Sequence, residues 1–340
     1  MSHKSIKNNK NNNKISIKKI YRALTCNNII TYNEYKQYLN DILKNDDSKD
    51  EKIFYLSAID IRGSRFTNYE NLQSNKQFTT LFKTYNVLYS NRFNEMIEDF
   101  VTKEDAAIIL NMIKNKKSDN EIYNFIKTHY KKSENESKEN KEYKISRIAK
   151  YIKKYLPKNT NKPLILDVGC GTGKKITMLN SFINSNIYGA DIESWGSYAK
   201  NRKFNFPFKN IQINPYKIPY PDKMFDCITI MLVLHHADNI IKTINECKRI
   251  LKDDGILVII EHDIWTDESN MIVDIQHKIY TTIFNESPDS PEACYFNVFE
   301  WNLIFNKCGM YPIFAKKLEE DITSRIRYDM QTIIIYKKNL

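Results

Sequence analysis

Long apolar runs are missing from this 340-residue chain. No stretch approaches the roughly 18 uninterrupted apolar residues that a membrane-spanning helix requires. The first residues also lack the apolar core of a secretory signal, so the sequence predicts a soluble, cytoplasmic protein with no membrane partner. Paired cysteines are missing too. Cys26, Cys170, Cys227, Cys247, Cys294 and Cys308 form no CxxC pair and keep no regular spacing, which argues against a zinc ribbon and for reduced thiols rather than a disulfide framework. Acids are absent from the first twenty residues, where Lys4, Lys7, Lys10, Lys14, Lys18 and Lys19 supply +6 of the formal +11 charge. Only +5 is left for residues 21 to 340, so the basic balance says little about nucleic acid. Transit peptides favour Arg and a clear amphipathic face, which this tail does not offer. The abundance of Asn, Lys, Ile and Tyr fits an AT-rich genome, such as that of a large DNA virus or a protist.

What is present divides the chain. Residues 1–14 are polar and low in complexity, too poor in apolar side chains to offset the entropy of ordering, and are expected to be disordered. Residues 15–130 read as a helical domain of unknown role. Phe82, Tyr85, Tyr89, Phe93, Met96 and Phe100 recur at steps of three and four, which puts them on one face. Thr31 with Glu34, and Ser118 with Glu121, pair a hydroxyl with a carboxylate three residues on, the mark of a capped helix start. Residues 131–142 hold no apolar side chain and mix both charge signs, which suits a solvated linker or a frayed helix start. The larger domain then runs over residues 143–340. It opens with a helix whose Ile145, Ile148, Ile152 and Leu156 share a face and which Pro157 ends.

The chemistry begins after that helix. An apolar run from Leu164 to Val168 holds Asp167 and leads into the loop Gly169-Cys170-Gly171-Thr172-Gly173, followed by helix to about Asn184. Glycines there permit positive φ and close backbone approach, and the free N–H groups of a helix start attract negative charge, so a nucleotide-like ligand is implied. Spacing discriminates among such ligands. A dinucleotide loop wants its third glycine at position 174, where Lys174 stands. A carboxylate at Asp167 would also repel a pyrophosphate and suits an amino group instead. A second strand, Ile187–Ala190, ends in Asp191, an acid placed to accept ribose hydroxyls. Further strands are expected over residues 210–213, from Phe225 through Val233, and over 256–260. A helix from Asn239 to Leu251 and a turn over residues 252–255 separate the last two. This alternation predicts a parallel sheet.

The segments DVGCGTG, GAD, FDCITIMLVLHH and ECKRILKDDGILVIIEHD resemble the successive motifs of class I S-adenosylmethionine-dependent methyltransferases, in particular the type 11 methyltransferase domain. The resemblance implies an α/β, Rossmann-like, seven-stranded and mostly parallel sheet with helices on both faces, beside the N-terminal helical domain. It implies that the last strands form a hairpin, for which residues 311–316 and 331–337 are the β-rich candidates. It implies S-adenosyl-L-methionine as cofactor, with Asp167, Gly169, Cys170 and Gly171 at its methionine end and Asp191 at the ribose. Asn214 would lie near the adenine, and Met231 and Leu232 under the sulfonium. Two features depart from the pattern: Asn214 stands where an acid is common, and an irregular run follows Glu193-Ser194-Trp195-Gly196. Trp195 is either an adenine-packing residue or a core anchor.

Direct displacement at a sulfonium depends mainly on alignment, and a base matters only if the acceptor carries a proton. Candidate catalytic residues are Glu261, His262 and Asp263 at the end of the fifth strand and His277 beyond it; with His235 and His236 after the fourth strand they are expected to converge at the substrate-facing edge, and the resemblance implies that the His235-His236 pair is structural. No His-x-x-x-His pair or strand-spaced ligand set is present, so no metal is expected. Cys170 and Cys227 read as packing thiols. The methyl acceptor is expected to be a small molecule or metabolite. The alternatives are an RNA, cap or other transcript, whose binding would weaken steeply with salt, and a non-catalytic interaction module. The oligomeric state is not legible.

Overall fold

A computed structural model describes residues 37, 90–115, 117–130, 138–158, 161–192, 204–213, 215–237, 239–264, 272–273, 275–277, 279–280, 283, 293–318 and 331–339. The chain divides into two compact units, one of residues Met1–His129 with Trp265–Gln276, the other of Tyr130–Ile264 with His277–Leu340.

In the first unit three helices are described: α1 (Ser90–Glu98), α2 (Lys103–Lys114) and α3 (Asp119–Thr128). Met96 and Phe100 are buried, as their helical spacing predicts; Phe82, Tyr85 and Tyr89 lie outside the described residues, as does the Thr31–Glu34 cap. The Ser118–Glu121 capping box forms at the start of α3, with the Ser118 N–H donating to Glu121 at 2.9 Å. These bonds hold the Glu121 carboxyl down to about 2.

The second unit opens with α4 (Lys138–Tyr155), β1 (Leu164–Val168), α5 (Lys174–Ile183), β2 (Asn186–Asp191) and β3 (Phe208–Asn210). After them come β4 (Gln212–Ile213), β5 (Tyr216–Lys217), β6 (Phe225–Met231), α6 (Ile240–Ile250) and β7 (Leu251–His262). The last described elements are α7 (Val298–Lys307), β8 (Met310–Lys317) and β9 (Gln331–Lys338). Seven strands form one sheet in the order β3-β2-β1-β6-β7-β9-β8. β1 pairs in parallel with β2 and β6, as do β2 with β3 and β6 with β7, while β9 is antiparallel to both β7 and β8.

Alternation along the strands explains the layers. Ile256, Val258 and Ile260 of β7 and Ile333 and Ile335 of β9 join Ile145, Ile148 and Ile152 of α4 and Ile176, Leu179 and Ile183 of α5 in one core. The alternate residue Tyr336 points the other way, where its ring stacks on Phe305 of α7 at 3.9 Å. Helices therefore cover both faces. Because the chain adds β2 and β3 on one side of β1 and then crosses to β6 on the other, the order reverses between β1 and β6. In open α/β sheets that reversal leaves a crevice at the carboxyl ends of the strands.

Two sequence expectations are corrected. The strand expected over 210–213 is divided: β3 pairs with β2, the Ile211 N–H reaches the Asp191 carbonyl at 2.8 Å, and β4 and β5 then form a separate hairpin. The turn expected over 252–255 is instead the start of β7, with a register shift against β6 between Phe225 and Cys227. Gly255 marks this close passage, since a Cβ there would sit 2.8 Å from Leu251 Cδ1.

Candidate functional site

At the carboxyl end of β1 the chain bends sharply. The Gly169 N–H donates to the Ala190 carbonyl at 2.7 Å and the Gly173 N–H to the Cys170 carbonyl at 2.8 Å. Gly169, Gly171 and Gly173 all have positive φ (+73°, +54° and +76°), which L side chains avoid. Space distinguishes the three. A Cβ at Gly169 would lie 2.6 Å from Val233 Cγ1 and one at Gly173 2.7 Å from Phe206 Cζ, whereas one at Gly171 would meet nothing within 4 Å. The outer glycines are needed by the protein's own packing. The middle one opens onto free volume, where a bound molecule can approach the backbone.

Asp191 closes the bend from the neighbouring strand. Its Oδ2 accepts the Gly171 N–H at 2.7 Å and its Oδ1 the Ile192 N–H at 2.8 Å. Asp167 faces Thr229 across the β1–β6 pairing and accepts its hydroxyl at 2.7 Å. Burial pushes the Asp167 carboxyl up to about 7, against the pull of Thr229 and Lys175, with Asp191 adding to the rise. Such a carboxylate is poised for a cation. Cys170 turns its sulfur toward the backbone at Gly189, as a packing thiol does, and burial pushes the Cys227 thiol up.

Met231 ends β6, buried, and Leu232 follows at φ +60° with its N–H donating to the Ile260 carbonyl at 2.8 Å. A leucine in the left-handed region stores strain, a feature that clusters at working sites. The turn Leu234–His236 comes next, and Glu261 of β7 anchors it. Glu261 Oε1 accepts the N–H groups of Val233 and Leu234 at 3.0 and 2.8 Å, and Oε2 lies 2.6 Å from His235 Nδ1. Burial raises the Glu261 carboxyl to about 7, opposed by His262 and by these backbone donors.

A group of rings surrounds this anchor. The His235 ring centroid lies 4.1 Å from His236, 5.1 Å from His262 and 5.2 Å from His277. Tyr295 lies 5.5 Å from both His235 and His277. Burial holds His235 and His262 well below the ordinary imidazole range, so both rings are neutral; nearby histidines add to the effect. His277 comes from the helical segment described at residues 275–277.

The structure thus brings Glu261, His262 and His277 together with His235, which the family resemblance reads as structural. Asp263 is otherwise engaged: its Oδ1 accepts the Val298 N–H at the start of α7 at 3.0 Å and its Oδ2 the Thr332 hydroxyl at 3.3 Å. Asn214 and Trp195 lie outside the described residues. Thr229 and Tyr295 carried no sequence signal. Among the described residues Cys170, Cys227, Cys247 and Cys308 are free, as the sequence led us to expect. No described helix is long and apolar enough to cross a membrane.

Comparison with known proteins locates the resemblance on these same strands. Residues 166–259 match the family described as "Methyltransferase domain". The chain is similar to the sterol 24-C-methyltransferase ERG6B of Gibberella zeae, 29% identical over 28% of this chain and 27% of the relative. It is similar to an uncharacterized protein of Methanocaldococcus jannaschii, 36% identical over 30% of this chain and 38% of the relative. It is also similar to the mitochondrial arginine-hydroxylase NDUFAF5 of Rattus norvegicus, 29% identical over 28% of each. The aligned part spans between 27% and 38% of these relatives' own lengths. The glycine bend, Asp167, Asp191 and the reversal beside β1 all lie in or next to that part, and the chain carries a class I S-adenosylmethionine-dependent methyltransferase domain.

Proposed function

We propose that this protein transfers the methyl group of S-adenosylmethionine to a small-molecule acceptor bound at the carboxyl edge of the sheet. The observation that carries the reading is the pairing of Asp191 with Gly171. A buried carboxylate is bonded to the bend's middle N–H at 2.7 Å, while the Cβ direction of the same glycine points into open space. These residues fit the cofactor. Asp191 would accept ribose hydroxyls, Asp167 would pair with the amino group, and the backbone of Gly169 and Gly171 would pass along the methionine end. Met231 and Leu232, at the end of β6, would lie under the sulfonium.

When bound, S-adenosylmethionine supplies an electrophilic methyl carbon on a positively charged sulfur. The chain's contribution is placement: an in-line approach of acceptor to methyl, held at near contact, removes most of the entropic barrier. The buried Glu261–His235 pair fixes the turn Leu234–His236, and His262, His277 and Tyr295 pack around His235. The neutral imidazole of His262 can take a proton from a hydroxyl or amine acceptor. A small acceptor is supported by the sterol substrate in the printed name of one relative and by the neutral, aromatic character of this ring cluster.

Release of labelled methyl from S-adenosylmethionine to a panel of sterols, quinols, small amines and RNA tests the reading. Transfer to a metabolite at rates insensitive to salt is expected. Transfer to RNA with steep salt dependence replaces it with the nucleic-acid reading. Tight cofactor binding with no transfer to any acceptor favours a different use of the fold, as the hydroxylase among the relatives illustrates.

A further inference from the structure

The ring cluster has a property that proton transfer alone does not require. His235, His262 and His277 each offer one ligand atom, and the three atoms lie within 4.8 Å of one another. His235 Nδ1 is held by Glu261 Oε2 at 2.6 Å, which leaves Nε2 directed away from the carboxylate. That Nε2 is buried without a hydrogen-bond partner, and so is Nδ1 of His262; the two side chains are only 2% and 6% exposed. An unpaired buried polar nitrogen costs on the order of 1–3 kcal/mol, and two turned into one cluster with a third imidazole is a costly arrangement unless something binds there.

We infer that His235, His262 and His277 form a three-histidine site for a divalent transition metal, with Glu261 as the carboxylate that orients His235. Three imidazoles suit zinc and its neighbours in the first transition row. At zinc–nitrogen bonds of about 2.0–2.1 Å, tetrahedral ligand atoms stand roughly 3.3 Å apart, so an inward movement of the order of an ångström closes the set. A carboxylate on the outer nitrogen of a ligating histidine fixes its tautomer and raises its basicity, and Glu261 holds that place while its other oxygen is tied to Val233 and Leu234. Three protein ligands leave a fourth position open, the pattern of a catalytic rather than a structural centre. That position suits water or an oxygen of the acceptor. Binding of the metal stands on the histidines alone; its use on an acceptor oxygen rests on the methyl-transfer reading above.

The probes are Zn2+ and Co2+ on the full chain. After dialysis against each metal and removal of excess, metal analysis should find one ion per chain, and the Co2+ form should show the intense visible bands of a tetrahedral nitrogen-ligated ion. Glu261→Gln should weaken Co2+ binding about 10- to 100-fold, and His277→Gln, a change at a half-buried position, should abolish the bands. Calorimetry with S-adenosylhomocysteine on the same samples keeps the two readings apart: loss of the bands with cofactor affinity retained locates the metal in the cluster. A wild-type chain that takes up neither ion overturns the site. So does a Co2+ spectrum that survives both His277→Gln and His235→Gln. Metal uptake with no cofactor binding would leave the histidine site standing and remove the proposed function instead.

Discussion

Thr229 gives its hydroxyl hydrogen to the Asp167 carboxylate at 2.7 Å, and both side chains are buried at the junction of β1 and β6. The bond opposes the desolvation that raises the Asp167 carboxyl. Thr229→Val keeps the shape and removes the donor, so it should cost about 1–3 kcal/mol in chemical denaturation and move the Asp167 carboxyl above about 7. An unchanged denaturation midpoint would show that the bond does not contribute.

The pH dependence of cofactor affinity follows from the same carboxyl. In its neutral form Asp167 cannot pair with an ammonium group, and it ionises as pH rises through about 7. Affinity for S-adenosylhomocysteine should therefore rise with pH up to about 7 and fall by roughly tenfold per unit below it. Asp167→Asn should flatten the profile. The stability term runs oppositely. Because the folded pKa lies above the ordinary 3.8, Asp167's contribution is present below the unfolded value and lost as pH climbs through about 7. Calorimetry and denaturation at matched pH values read the two trends separately.

The glycine bend separates binding from folding. Gly169→Ala would drive a methyl into Val233 at a left-handed position and should destabilise the domain by several kcal/mol. Gly171→Ala carries only the backbone strain, about 1–2 kcal/mol, because its Cβ meets no protein atom within 4 Å. Its cofactor affinity should nonetheless drop by at least tenfold. Equal affinity in Gly171→Ala and wild type would mean that the ligand does not pass there.

Asp191→Ala loses both the proposed ribose acceptor and two backbone hydrogen bonds, to Gly171 and Ile192. Affinity should fall about 100-fold or more, with a stability loss of roughly 1–3 kcal/mol. Asp191→Asn retains an oxygen for one N–H and should recover most of the stability but little of the affinity. Recovery of both would sink the ribose assignment.

Much of this architecture could be read from local patterns. Apolar runs ending in Asp167 and Asp191 marked β1 and β2, and the Ile145-Ile148-Ile152 stripe marked α4, because burial on one face imposes a period. Three of the chain's eight glycines sit within five residues, which pointed to the bend. β3 and β4 ran together because a parting of the chain at Ile211 leaves no local mark. The Asn297–Glu300 capping box at the start of α7 is a local pattern of the same kind. The convergence of the histidines at one edge of the sheet was legible from the strand ends, but their close grouping was not. His235, His262 and His277 are far apart along the chain, and they meet through the pairing of β6 with β7 and a helical segment beyond.

The placement of β9 bears on synthesis. β8 leaves the ribosome before β9 yet, among the described strands, pairs with β9 alone, and β7 keeps a bare edge on that side until Gln331–Lys338 arrives. A nascent chain must therefore shelter the isoleucine-rich edge of a half-built sheet while its missing partner is still being translated, the interval in which chaperone capture or edge-to-edge association is most damaging.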